Sequence, residues 1–178
     1  MLLKLEKIFD SFADWIGNVC GVLMLLMVLN VFYDVIMRYF FKTSSIAFQE
    51  LEWHIFSAMF LLGVSYALKN EGHVRVDIIY DNLPVKKKSI INIVGTAFFL
   101  IPFSLLIASG SMPFVMEAYH THEISGDPGG LHYRWIIKSL VPISFVLLII
   151  TSVGYIIKNI NNYRAADLES KDAGEGAK

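Results

Sequence analysis

Asn30, Asp34, Arg38 and Lys42 recur at every fourth residue. On a helix that spacing stacks an amide, a carboxylate, a guanidinium and an ammonium on one face. A second polar set follows closely, with Gln49, Glu50, Glu52, Trp53, His54 and Ser57. Gln49, Glu50, Trp53, His54 and Ser57 share a helical face. Two kinds of chemistry fit. One is a structural network in which Arg38 pairs with Asp34 one turn away and with Glu50 or Glu52 on the next helix. The other is a path for an ion or substrate. A mixed-sign cluster is already compensated, and that favours the structural network and a partner interface over a path.

Other reactive residue types are sparse. His54 is the only histidine inside an apolar run, whereas axial haem ligation in a helical bundle usually takes a pair. A membrane anchor of a redox enzyme, of the haem b type, is therefore the alternative reading. His120, His122, Glu123 and His132 match no strong zinc spacing and read as a solvated loop. Cys20 is the single cysteine and lies in an apolar run, so it reads as a small buried hydrophobe. No nucleophile–base set, phosphate loop or nucleotide motif is present. The sequence predicts neither enzyme chemistry nor a cofactor or metal site in this chain, and no nucleic-acid partner.

The elements that carry these residues are set by composition. Of 178 residues, 55% are hydrophobic and 17% charged. A bilayer crossing takes about 20 helical residues. Four stretches qualify, near 15–39, 47–68, 89–117 and 135–157, which makes one all-α membrane domain over 1–165. The third is long enough to tilt or protrude, and Pro102 predicts a kink in it. Leu2, Leu5, Phe9 and Phe12 fall near one helical face, which predicts a short interfacial helix before the first span. Residues 166–178 are polar and small and read as a disordered tail. Gly17 and Gly21 form a GxxxG that suits close helix packing.

Four crossings put both termini and the middle loop on one side. That side holds Lys4, Lys7, Lys69, Arg75, Lys86, Lys87, Lys88, Lys158, Arg164, Lys171 and Lys178, which is 11 of the 15 Lys and Arg. By the positive-inside rule it is the cytoplasm. The middle loop, "KNEGHVRVDIIYDNLPVKKK", is then a cytoplasmic connection. Val76, Ile79, Tyr80 and Leu83 follow helical spacing, so a short interfacial segment is expected there, stopped by Pro84. Gly72 is the expected turn out of the second span.

The stretches "NVFYDVIMRYFFKTS", "FQELEWHIFSAMFLLGVSYALKNEGHVRVDIIYDNLP" and "DPGGLHYRWIIKSLVPI" resemble the small membrane subunit, of the DctQ type, of tripartite ATP-independent periplasmic (TRAP) transporters. The loop motif His73, Val74, Val76 and Asp77, with Arg75 inside it, is the most specific part. The resemblance implies a bacterial inner-membrane complex. A periplasmic solute-binding protein captures the solute. A large DctM-type multi-span permease subunit carries it by an elevator movement coupled to sodium, with the sodium ions bound in that subunit. The small subunit packs on its scaffold, among membrane lipids. "QELEWH" and "DPGGLHYRW" resemble a branch associated with keto acids, mannitol or chloroaromatic acids, which favours a small organic anion.

Overall fold

A backbone that crosses lipid must satisfy its own polar groups, and a helix does so within one segment. The computed structural model describes residues 2–72 and 80–175, and among them there are helices and short connections but no strand. Four helical stretches are long and apolar enough to cross a membrane: Leu2–Tyr39, Ile46–Lys69, Val85–His120 and Trp135–Leu168. The first two crossings are α1 (Leu2–Tyr39) and α2 (Ile46–Lys69). The third is α3 (Val85–Gly95), a π-turn (Thr96–Leu100), α4 (Ile101–Gly110) and α5 (Met112–His120). The fourth lies in α6 (Trp135–Glu175).

Several expectations are corrected. The surface helix before the first span is not a separate element, because α1 is one helix of 38 residues. At 1.5 Å per residue it runs to about 57 Å, well beyond a hydrocarbon core of about 30 Å. The polar tail does not lose its helix at 166, since α6 continues to Glu175. The third span is interrupted twice. Pro102 has no N–H for the Phe98 carbonyl, and the turn before it opens to π geometry, with Ile101 N–H donating to the Thr96 carbonyl. A second break at Ser111 precedes Pro113.

The turn out of α2 also differs from expectation. Glu71, not Gly72, takes the left-handed conformation, with φ 56°. Gly72 N–H then donates to the Ala67 carbonyl at 2.9 Å and Glu71 N–H to the Leu68 carbonyl at 3.2 Å, a Schellman closure. α5 ends in the same way on His122, with φ 48°, Glu123 N–H reaching the Ala118 carbonyl at 3.0 Å. The motif residues His73, Arg75 and Asp77, and most of the expected interfacial segment, lie outside the described residues.

The packing centres on α6. α1 and α2 pack on each other and on α6, and the third span packs on α6. In the most apolar stretch of α6, 39% of residues are buried, against 6–11% in the other three crossings. Leu68, Leu148 and Tyr155 form the apolar centre, with Val64, Leu100 and Phe145 against it. Small hydroxyl residues fill the closest approaches, and Ser104 and Ser152 donate back to carbonyls one turn earlier at 2.7 Å. Small side chains let helices approach where lipid gives no hydrophobic drive to associate.

The end of the bundle that carries the termini is tied by polar contacts. Lys69 pairs with Asp14, and Lys86 with Asp167 at 2.7 Å. Lys158 reaches Glu71 at 3.9 Å, and Asn161 donates to Glu6. Inside these, Asn92 bridges the Tyr80 hydroxyl and Asn159, with 2.8 Å to the Asn159 side-chain oxygen.

Candidate functional site

The two polar sets meet at the opposite end of the bundle, where α1 turns into α2. Asn30 donates to the Phe48 carbonyl at 2.9 Å and so ties the two helices. Asp34 is buried and Arg38 pairs with it, one turn on in the same helix. Arg38 itself stays half exposed. A cavity of about 80 Å³ adjoins Asp34, lined also by Tyr33, Met37, Thr43, Ser44, Ser45 and Phe48. Lys42, at the turn, is exposed.

Glu50 does not pair with Arg38. Its carboxylate is buried, with 7% exposure, and both oxygens are claimed by the connection between α5 and α6. The Ser125 hydroxyl donates to Oε1 and the Leu131 N–H to Oε2. Glu52 is partly buried and makes no bond to Arg38 either. The two carboxylates are therefore satisfied separately, Asp34 by a cation and Glu50 by two neutral donors.

Gly130 makes that approach possible. A Cβ there would lie 2.7 Å from Glu50 Oε2 and 2.5 Å from the Ser125 Cβ. The segment is shaped from within by a turn at Asp127–Gly130, whose N–H to carbonyl bond is 3.0 Å. Pro128 and Gly129, with φ 84° at the glycine, are the residues a type II turn requires. Beside it, Arg134 lies over the Trp53 ring at 5.8 Å. Glu123 pairs with Lys138 and lies 3.7 Å from Arg134.

His54 Nδ1 donates to the Glu50 carbonyl at 2.6 Å, and its ring lies against Trp53 with centroids 3.9 Å apart. Gln49 is exposed on the surface of α2. Among the described residues no group of three His, Cys, Asp or Glu is placed to hold a metal ion. Of the glycine pair, Gly17 lies against the Tyr66 ring, where a Cβ would come within 2.6 Å, whereas Gly21 faces open space.

Sequence reasoning missed Ser125, Leu131, Gly130 and Arg134 as partners of the second polar set. "SGDPGGL" announces a turn, but nothing in it names a carboxylate 75 residues earlier. The arrangement holds chain segments together. Its carboxylate has both oxygens occupied, and it sits at one end of the spans, away from their apolar middle.

This architecture, four crossings with a satisfied polar cluster at one end, accompanies a sequence match. Residues 27–162 match the family profile of the DctQ component of tripartite ATP-independent periplasmic transporters. The chain belongs to the DctQ family. It is thus a multi-pass membrane protein and a transporter component, a small permease subunit, and not an enzyme. The match disfavours the haem-anchor alternative. A protein of Haemophilus influenzae assigned as a TRAP transporter small permease protein is 26% identical over 141 residues, covering 78% of this chain and 88% of its own length. The ectoine TRAP transporter small permease protein TeaB of Halomonas elongata is 29% identical over 149 residues, 82% of this chain and 72% of its own. The C4-dicarboxylate TRAP transporter small permease protein DctQ of Vibrio cholerae is 33% identical over 104 residues, 55% of this chain and 44% of its own.

Proposed function

We propose that this DctQ-family subunit packs on the scaffold of a large DctM-type permease subunit in the bacterial inner membrane, with both termini in the cytoplasm. The pair takes up a small organic anion driven by a sodium gradient and is supplied by a periplasmic solute-binding protein. The large subunit carries the solute by an elevator movement and binds the sodium ions, and this chain carries no cofactor of its own. The observation that carries the reading is the shallow burial of three of the four crossings, with 6–11% of their most apolar stretches covered by their own fold. Such a chain offers wide apolar faces to lipid and to a partner helix bundle. A charged solute also needs a midplane site, usually built at broken helices in paired repeats, and here the broken third span has no broken counterpart among the described residues.

Uptake into proteoliposomes tests this. The relatives named for C4-dicarboxylates and for ectoine make both compounds probes, alongside keto acids and sugar acids. The chain alone is expected to give no sodium-dependent uptake. Uptake is expected when the large subunit and the loaded binding protein are present together. Sodium-driven accumulation by this chain alone would overturn the reading.

A further inference from the structure

We propose that Ser125–Leu131 is a strap latched by one carboxylate, Glu50, and that this latch couples the third span to α2 at the end of the bundle away from the termini. The third span packs on α6 rather than on the α1–α2 pair. At the end with the termini it is fixed through Asn92 to Asn159 and through Lys86 to Asp167. At the other end the chain leaving α5 is carried across to α2, where Glu50 receives it.

The strap is built to move as a unit. Ser125 N–H donates to the Leu131 carbonyl at 3.1 Å, closing the segment at its base. Asp127 N–H donates to the Ser125 hydroxyl oxygen at 3.2 Å, and the Asp127–Gly130 turn closes its tip. These bonds lie within the strap and survive its release. The bonds to α2 are the two on Glu50, and both are charge-assisted, roughly twice as strong as neutral ones. Arg134 over Trp53 is the adjoining contact. The absent side chain at Gly130 lets the strap seat, and any larger residue lifts it. The break at Ser111, ahead of Pro113, gives the third span a joint before α5.

Amide hydrogen exchange on the full chain in phosphatidylglycerol–phosphatidylethanolamine nanodiscs tests the latch. Glu50→Ala and Gly130→Val are each expected to speed exchange of the Leu131 amide, the strap N–H that bonds to α2, at least tenfold, with the internally bonded amides of Ser125, Asp127 and Gly130, α3 and the far half of α6 unchanged. Glu50→Gln keeps an acceptor for Leu131 and an N–H for the Ser125 oxygen, so a smaller acceleration is expected, from the loss of charge alone. Glu52→Ala should leave the strap as it is. Spin labels at Gly126→Cys and Ser44→Cys, in a Cys20→Ala background, should show a broader distance distribution once Glu50→Ala is added. Unchanged Leu131 exchange in both Glu50→Ala and Gly130→Val would overturn the proposal, as would acceleration spread evenly along the chain. Should Glu50→Ala lose helical circular dichroism, Glu50→Gln carries the test, and Leu131 exchange equal to the parent's then overturns it. All these readouts need only this chain, so a failure of the latch is distinguishable from a failure of the transport reading.

Discussion

At the α1–α2 turn Arg38 pairs with the carboxylate one helical turn away, Asp34. Asp34 is buried with 6% side-chain exposure, while Arg38 is half exposed. Their bond spans one helical turn and fixes few rotors. Removing the guanidinium leaves the carboxylate buried without its main partner, which costs about 1–3 kcal/mol, and the exposed arginine places this pair near the lower end. Arg38→Gln is therefore expected to lower the melting temperature in detergent by about 2–4 °C. Arg38→Gln with Asp34→Asn removes both charges and should recover most of that loss. A double variant no more stable than Arg38→Gln alone would show that the pair is not what Arg38 contributes. Glu50→Arg should fail to rescue any Arg38 charge reversal, because Glu50 answers to Ser125 and Leu131.

Helix ends carry strain, and at the exit of α2 it falls on Glu71 rather than on Gly72. Three helix exits hold non-glycine residues at positive φ: Lys42 at 56°, Glu71 at 56° and His122 at 48°. A left-handed L-residue costs roughly 1–2 kcal/mol relative to glycine, partly offset by the entropy glycine loses on folding. His122→Gly is thus expected to raise the melting temperature by about 1–3 °C, read by tryptophan fluorescence or a thermal-shift dye. A fall on that substitution would mean the imidazole has a role beyond the turn. At the α1–α2 crossing the GxxxG pair divides. Gly17→Val places methyl groups into the Tyr66 ring, whereas Gly21 has room. Gly17→Val should destabilise by more than about 1 kcal/mol and Gly21→Ala should be near neutral, both by the same assay. Equal effects would argue that the two glycines pack alike.

At the scale of the whole molecule, composition carried the four crossings and their class, because long uncharged runs have one solution in lipid. It could not carry the order of packing. That α6 lies at the centre depends on which faces meet, and α6 offers small hydroxyls such as Ser144, Thr151 and Ser152 that read as ordinary scatter in an apolar run. The polar residues of the site were legible as a group, since ionisable side chains stand out in such runs. Their pairing was not, because Glu50 and Leu131 are brought together only by the fold. Both termini and the 69–72 turn do share one end, through Lys69 with Asp14, Lys158 with Glu71 and Asn161 with Glu6. The membrane side of that end rests on charge alone. Basic residues retained in the cytoplasm set orientation, and the excess lies at the termini and the middle loop. In a Cys20→Ala background, Gly126→Cys is expected to react with an impermeant maleimide in intact cells. Asn70→Cys, exposed at the other end, should react only after permeabilisation. The two sites are on opposite ends of one set of crossings, so their labelling must be opposite whichever way the protein inserts. External labelling of Asn70→Cys with protection of Gly126→Cys would invert the orientation and would place the strap at Glu50 in the cytoplasm.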